Sequence, residues 1–103
     1  MLSTVDLCRL LADPTRLGVI TLLAEGDEAC VCDLIDCLET PQSTMSRHLG
    51  QLRQAGLVVA RREGTWMHYR INPALPAWAR ETIETLAEPA REQLGLLPIR
   101  KAC

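Results

Sequence analysis

The chain has 103 residues, one domain's length, with a formal net charge of -2 and 48% hydrophobic residues. No run of eighteen apolar residues is present, which excludes a membrane-spanning helix, and Met1 to Cys8 is a poor start for a signal peptide, so a cytoplasmic protein is expected. Trp66, Tyr69 and Trp78 are the only aromatic residues, so aliphatic side chains must build the core.

In chain order, residues 4–12 place Val5, Leu7, Cys8, Leu10 and Leu11 on a short amphipathic helix, which Asp13-Pro14 breaks. Pro14 suits the first turn of a second helix running to about Ala24, with Leu17, Ile20 and Leu23 at three-residue steps. Val31, Leu34, Ile35 and Leu38 stand at i, i+3, i+4 and i+7, a short third helix that ends before Glu39-Thr40-Pro41. Thr40 is expected to cap, and Pro41 to open, a fourth helix over about 41–54 whose inward face is Met45, Leu49 and Leu52. Leu57 to Ala60 reads as a strand, residues 61–65 as a polar hairpin tip, and Trp66 to Ile71 as the returning strand. A last helix is predicted from about Ala77 to Arg91, and residues 95–103 as a flexible tail. The fold class is therefore mainly α (α+β): helix, helix, short helix, helix, β hairpin, helix, a winged helix-turn-helix over residues 1–94.

Charge is segregated along this order. Residues 1–40 set Arg9 and Arg16 against eight carboxylates, whereas residues 41–70 hold five arginines against Glu63 alone. A basic segment inside an acidic chain is the footprint of phosphate contact. It holds the side chains a DNA reader needs: Gln42, Ser43, Thr44, Ser46, Arg47, His48 and Gln51 on the fourth helix for base edges and phosphates, and Arg61, Arg62 and Thr65 on the wing for flanking backbone. Taken alone, a polar helix is better explained by a solvated face; here it occurs with the tight turn, the wing and the positive charge together.

Five cysteines form an odd set, which argues against a closed disulfide framework and, in a reducing compartment, for free thiols or ligands. Cys30-Val31-Cys32-Asp33 opens the third helix. Thiolates select soft ions such as trivalent arsenic, antimony, cadmium, lead, mercury and zinc, although a free cysteine is often only a small buried hydrophobe. Residues two apart on a helix point about 200° apart. Either Cys30 lies before the helix, or capture of an ion unwinds its first turn. Cys37 is about 140° around and 7.5 Å along from Cys32 on an ideal helix.

The segments LADPTRLGVITLL, EACVCDLID, QSTMSRHLGQLRQAGLV and REGTWMHYRI resemble the ArsR/SmtB family of metal-responsive repressors over roughly residues 6–90, and most of all its arsenic sensors. The resemblance implies a homodimer joined through the first and last helices. It also implies an inverted-repeat operator in double-stranded DNA and release when trivalent arsenic or antimony binds, with cadmium, lead or zinc as alternatives. Arsenic sensors of the family carry a third cysteine three residues after the second, where this chain has Ile35. The ligand set expected here is Cys30, Cys32 and Cys37, with Cys8 and Cys103 as rivals for the third place. Residues 77–94 contain no His or Asp, so no metal site is expected in the last helix, and no organic cofactor is expected either. With no phosphate-binding glycine loop and no nucleophile–His–acid spacing, an enzyme is not expected. A thiol redox switch on the same scaffold is the nearest alternative.

Overall fold

The computed structural model describes residues 2–26 and 28–96. Helices α1 (Thr4–Leu11) and α2 (Pro14–Glu25) are followed by a two-residue strand β1 (Ala29–Cys30), then α3 (Val31–Leu38) and α4 (Gln42–Gln54). The wing strands β2 (Val58–Glu63) and β3 (Trp66–Ile71) lead to α5 (Ala77–Leu94). The winged helix-turn-helix expected from the sequence is present, with four departures from the expected elements.

The first is β1, which sequence periodicity does not signal. It pairs antiparallel with β3, Ala29 opposite Tyr69 and Cys30 opposite His68, so the wing is a three-stranded sheet in the order β1-β3-β2. Two residues are too few to show a period of two. The second is the start of α4. Thr40 does not cap it: its hydroxyl donates to the Leu38 carbonyl (3.0 Å), and Pro41, in the N-cap position, offers no side-chain cap. The tight turn between α3 and α4 instead needs one left-handed residue, supplied by Glu39 (φ 48°). The third is α5, which passes through Pro89 and ends at Gly95 (φ 69°). The tail expected over 95–103 lies, from residue 97 onward, outside the described residues.

Helix α2 is the hub. Gly18, Val19, Ile20, Thr21, Leu22 and Leu23 are all buried in succession, as a helix covered on every side requires. The Thr21 hydroxyl is satisfied by the Leu17 carbonyl at 2.7 Å. α5 lies along α2 and is tied to it by the Arg91–Glu25 ion pair. Met45, Leu49 and Leu52 of α4 are buried in the core, as their spacing predicts. α4 closes with Gly56 at φ 81° and the Leu57 amide bonded to the Leu52 carbonyl (3.0 Å), a glycine-dependent helix stop that aims the chain into β2. The wing turn is shorter than expected: Arg61, Arg62 and Glu63 belong to β2, and only Gly64-Thr65 separates paired Glu63 and Trp66. Gly64 carries the positive φ of 64° that such a two-residue turn needs.

Candidate nucleic-acid interface and thiol site

Helix α4 displays Gln42, Ser43, Ser46, Arg47 and Gln51 at the surface, with Thr44 half-buried. Helical spacing separates them from the buried Met45–Leu49–Leu52 stripe. His48 departs from the expected reading face. It is 5% exposed, its Nε2 stands 3.7 Å from an Asp13 carboxylate oxygen, and its Nδ1 stands 3.4 Å from Arg16 Nη1. It lies one residue before Leu49 and so turns with the core stripe toward α2. In that place it packs α4 against the start of α2.

Arg16 and Asp13 are the residues that sequence reasoning missed here. Asp13 caps α2 by accepting from the Arg16 amide (3.0 Å). Burial raises the Asp13 pKa, but that amide, His48 and the Arg16 charge outweigh it, so the carboxyl stays below its usual value. Arg16 donates through Nε to the Leu10 carbonyl (2.8 Å), through Nη2 to Arg9 (3.2 Å) and through Nη1 to Gln51 Oε1 (2.9 Å). One guanidinium thereby joins the end of α1 to the recognition helix. The available signal was a lone arginine at the start of an otherwise apolar helix.

On the wing, Arg62 and Thr65 are exposed. Arg61 is exposed but engaged: it forks onto both carboxylate oxygens of Glu28 (Nη2 2.7 Å, Nε 3.0 Å) and reaches Glu63 (3.3 Å). The Arg61 hydrogen bonds hold the Glu28 carboxyl below its usual range, and the Arg61 pKa is raised in return. Glu28 immediately precedes β1, so this clasp fastens the wing to the strand that carries Cys30.

Cys30 is the N-cap of α3, in extended backbone (φ -69°, ψ 148°), and Cys32 lies in its first turn. Of the two geometries open from sequence, the first therefore holds. Because Cys30 lies before the helix, the sulfurs meet without any unwinding: the Cys32 thiol donates to Cys30 Sγ at 2.8 Å. That bond, with burial and the nearby Asp33 charge, pushes the Cys32 thiol up to about 11. Cys30 is buried and Cys32 half-exposed. Together with Glu28, Arg61, Trp66 and His68 they line an open cavity of about 460 Å³.

Cys37 is not brought to this pair. It lines a different cavity at the far end of α3, with Pro14, Thr15 and Leu94. Against the expectation of free thiols, it is disulfide-bonded. The cause is helical geometry: five residues beyond Cys32, its side chain leaves on another flank and more than a turn away. Cys8 is a free, exposed thiol on α1, and Cys103 lies outside the described residues. Among the described residues no group of three or more His, Cys, Asp or Glu side chains is placed to hold a metal ion, and no helix is long and apolar enough to cross a membrane.

An exposed polar helix entered through a tight turn, beside a basic wing, defines a winged helix-turn-helix regulator. Residues 13–59 match the model of the bacterial regulatory protein arsR family. The chain is 48% identical over 83 residues to the arsenical resistance operon repressor of Escherichia coli K12, covering 81% of this chain and 71% of that protein. Its fold is similar to HlyU from Vibrio cholerae (TM-score 0.72, 33% identity, 80% of this chain and 85% of that one). It is also similar to a homodimeric winged helix-turn-helix DNA-binding domain from Mycobacterium bovis (TM-score 0.67, 33% identity, 85% and 78%). The chain belongs to the arsR family of bacterial regulatory proteins. It is a DNA-binding transcriptional repressor of that family, not an enzyme.

Proposed function

We propose that the chain represses a metalloid-resistance promoter and leaves its DNA when trivalent arsenic or antimony condenses with Cys30 and Cys32. The observation that carries this reading is the pair of sulfurs 2.8 Å apart at the seam between the wing sheet and α3. Two sulfurs each about 2.3 Å from one atom lie within roughly 4 Å of each other, so capture needs only a small opening of a pair already in contact. The name of the Escherichia coli relative points to the same inducer class.

The pair spans two mechanical parts. Cys30 is hydrogen-bonded into the wing through β3, while Cys32 is in the helix packed on α4. Opening the pair shears wing against recognition helix, and a mismatch in their spacing on DNA needs only about 1–3 kcal/mol of coupling to induce. Gln42, Ser43, Thr44, Ser46, Arg47 and Gln51 read the groove, and Arg61, Arg62 and Thr65 meet flanking phosphates. Residues 1–94 act as one DNA-binding and dimerisation unit on an inverted repeat. The apolar side chains left exposed on α1 and α5, Val5, Trp78, Leu86 and Leu94, supply the dimer contact.

The test is release of a promoter duplex from the reduced dimer, followed by fluorescence anisotropy with arsenite, antimonite, cadmium and peroxide in turn. Release by arsenite and antimonite supports the reading. Release by peroxide alone replaces it with a redox switch at the same sulfurs, and release by cadmium alone with a divalent-ion sensor.

A further inference from the structure

Arg16 is half-buried in the first turn of α2, and its guanidinium is fixed before it meets α4. Nε donates to the Leu10 carbonyl (2.8 Å) and Nη2 to the Arg9 carbonyl (3.2 Å), so two backbone oxygens at the end of α1 orient the fork. The other terminal nitrogen, Nη1, donates to Gln51 Oε1 at 2.9 Å and stands 3.4 Å from His48 Nδ1. A guanidinium has only donors. The Gln51 amide therefore turns its oxygen to Arg16 and leaves its NH₂ group over, and that group has no hydrogen-bond partner among the described residues. Gln51 is exposed and lies one turn beyond the exposed Arg47, about 40° around and 6 Å along the same helix.

An unrestrained glutamine pairs with adenine through both amide atoms, the oxygen accepting from N6 and the nitrogen donating to N7. An oxygen already held by Arg16 is drawn away from that pairing, and what Gln51 has left to offer is a donor. Two bases present acceptors and no donor in the major groove: guanine, with N7 and O6, and thymine, with O4. Adenine and cytosine each set an amino group there.

We propose that Arg16 is a positioning residue that determines sequence specificity: by holding the Gln51 oxygen, it makes Gln51 read a keto base, guanine or thymine, in place of adenine. The inference rests on the reading above that Gln51 faces the groove, and it is independent of the thiols.

The test selects binding sites for the reduced full chain from a randomised duplex library and sequences the bound pools of wild type, Gln51→Ala, Arg16→Met and Gln51→Glu. The position in each half-site whose preference Gln51→Ala flattens is the base that Gln51 meets. Wild type is expected to favour guanine or thymine there by roughly 2- to 10-fold, the worth of one hydrogen bond. Arg16→Met releases the amide and is expected to move that position, and no other, toward adenine. Gln51→Glu keeps an oxygen for Arg16 and offers the base a second acceptor, so the same position should move to cytosine or adenine. This last variant carries the test if thermal unfolding shows that Arg16→Met does not fold. A wild-type preference for adenine or cytosine overturns the inference while the groove contact of Gln51 stands. So does a folded Arg16→Met variant that binds every sequence more weakly with unchanged preference, as a merely structural arginine would give, or a Gln51→Glu pool still rich in guanine and thymine. If Gln51→Ala flattens no position, Gln51 leaves the reading surface and the inference falls with it.

Discussion

The two parts of the DNA-reading surface are braced in different ways. Helix α4 is held from behind by Arg16, Asp13 and His48, which tie it to the junction of α1 and α2 and not to the segment that carries Cys30 and Cys32. The wing is held by the Arg61–Glu28 clasp and by β1, both adjoining Cys30. The recognition helix is thus fixed to the junction of α1 and α2, and the wing to the segment that carries Cys30. On the proposed function, opening the thiol pair moves the wing against a helix braced elsewhere.

The largest expected effect tests the sensor side. Cys30→Ser or Cys32→Ser should abolish arsenite-induced release while leaving affinity for promoter DNA within about 2-fold, because neither sulfur lies on the exposed face of α4; induction surviving in either variant would break the comparison. Next, Arg47→Ala should lower DNA affinity by roughly 10- to 100-fold, the loss of one charged contact of about 1–3 kcal/mol. Circular dichroism should show the fold intact, since Arg47 is exposed.

The brace behind α4 gives a stability effect. Asp13→Ala should cost about 1 kcal/mol in urea unfolding through loss of the α2 cap. The Asp13 carboxyl is held below its ordinary value of 3.8 in the folded chain. Its contribution is therefore full above that pH and fades as pH falls through the lower folded value, so wild type and Asp13→Ala should converge in acid. A difference that persisted there would point to packing instead of charge.

The smallest effect sharpens the wing side. Glu28→Gln should free Arg61 and raise DNA affinity by no more than about 5-fold, within the worth of an exposed ion pair. The steeper salt dependence of an added phosphate contact should accompany it. An unchanged salt slope would show that Arg61 stays with Glu63 and never reaches DNA.

Much of this arrangement is legible in the residues. The 3.6-residue stripes of α3 and α4, the β-rich run of the wing and the segregated arginines are local signals that survive folding, and they locate the helix-turn-helix and the wing. The exceptions share one cause. Gln51 and His48 look alike as polar residues on a polar helix and Arg16 reaches both, yet Gln51 is exposed and His48 is buried beside Asp13, a distinction set by neighbours more than thirty positions away. Arg61 reads as an unpaired charge until Glu28 is folded against it.

By itself the sequence determined the winged helix-turn-helix, the basic reading segment and the presence of a Cys-x-Cys pair, because periodicity, turn residues and charge act over a few neighbours. Only the tertiary structure decided that Cys30 stands outside the helix and touches Cys32, and that the thiols adjoin the wing. Those facts follow from the pairing of β1 with β3, a contact between segments some forty residues apart that leaves no local pattern to read.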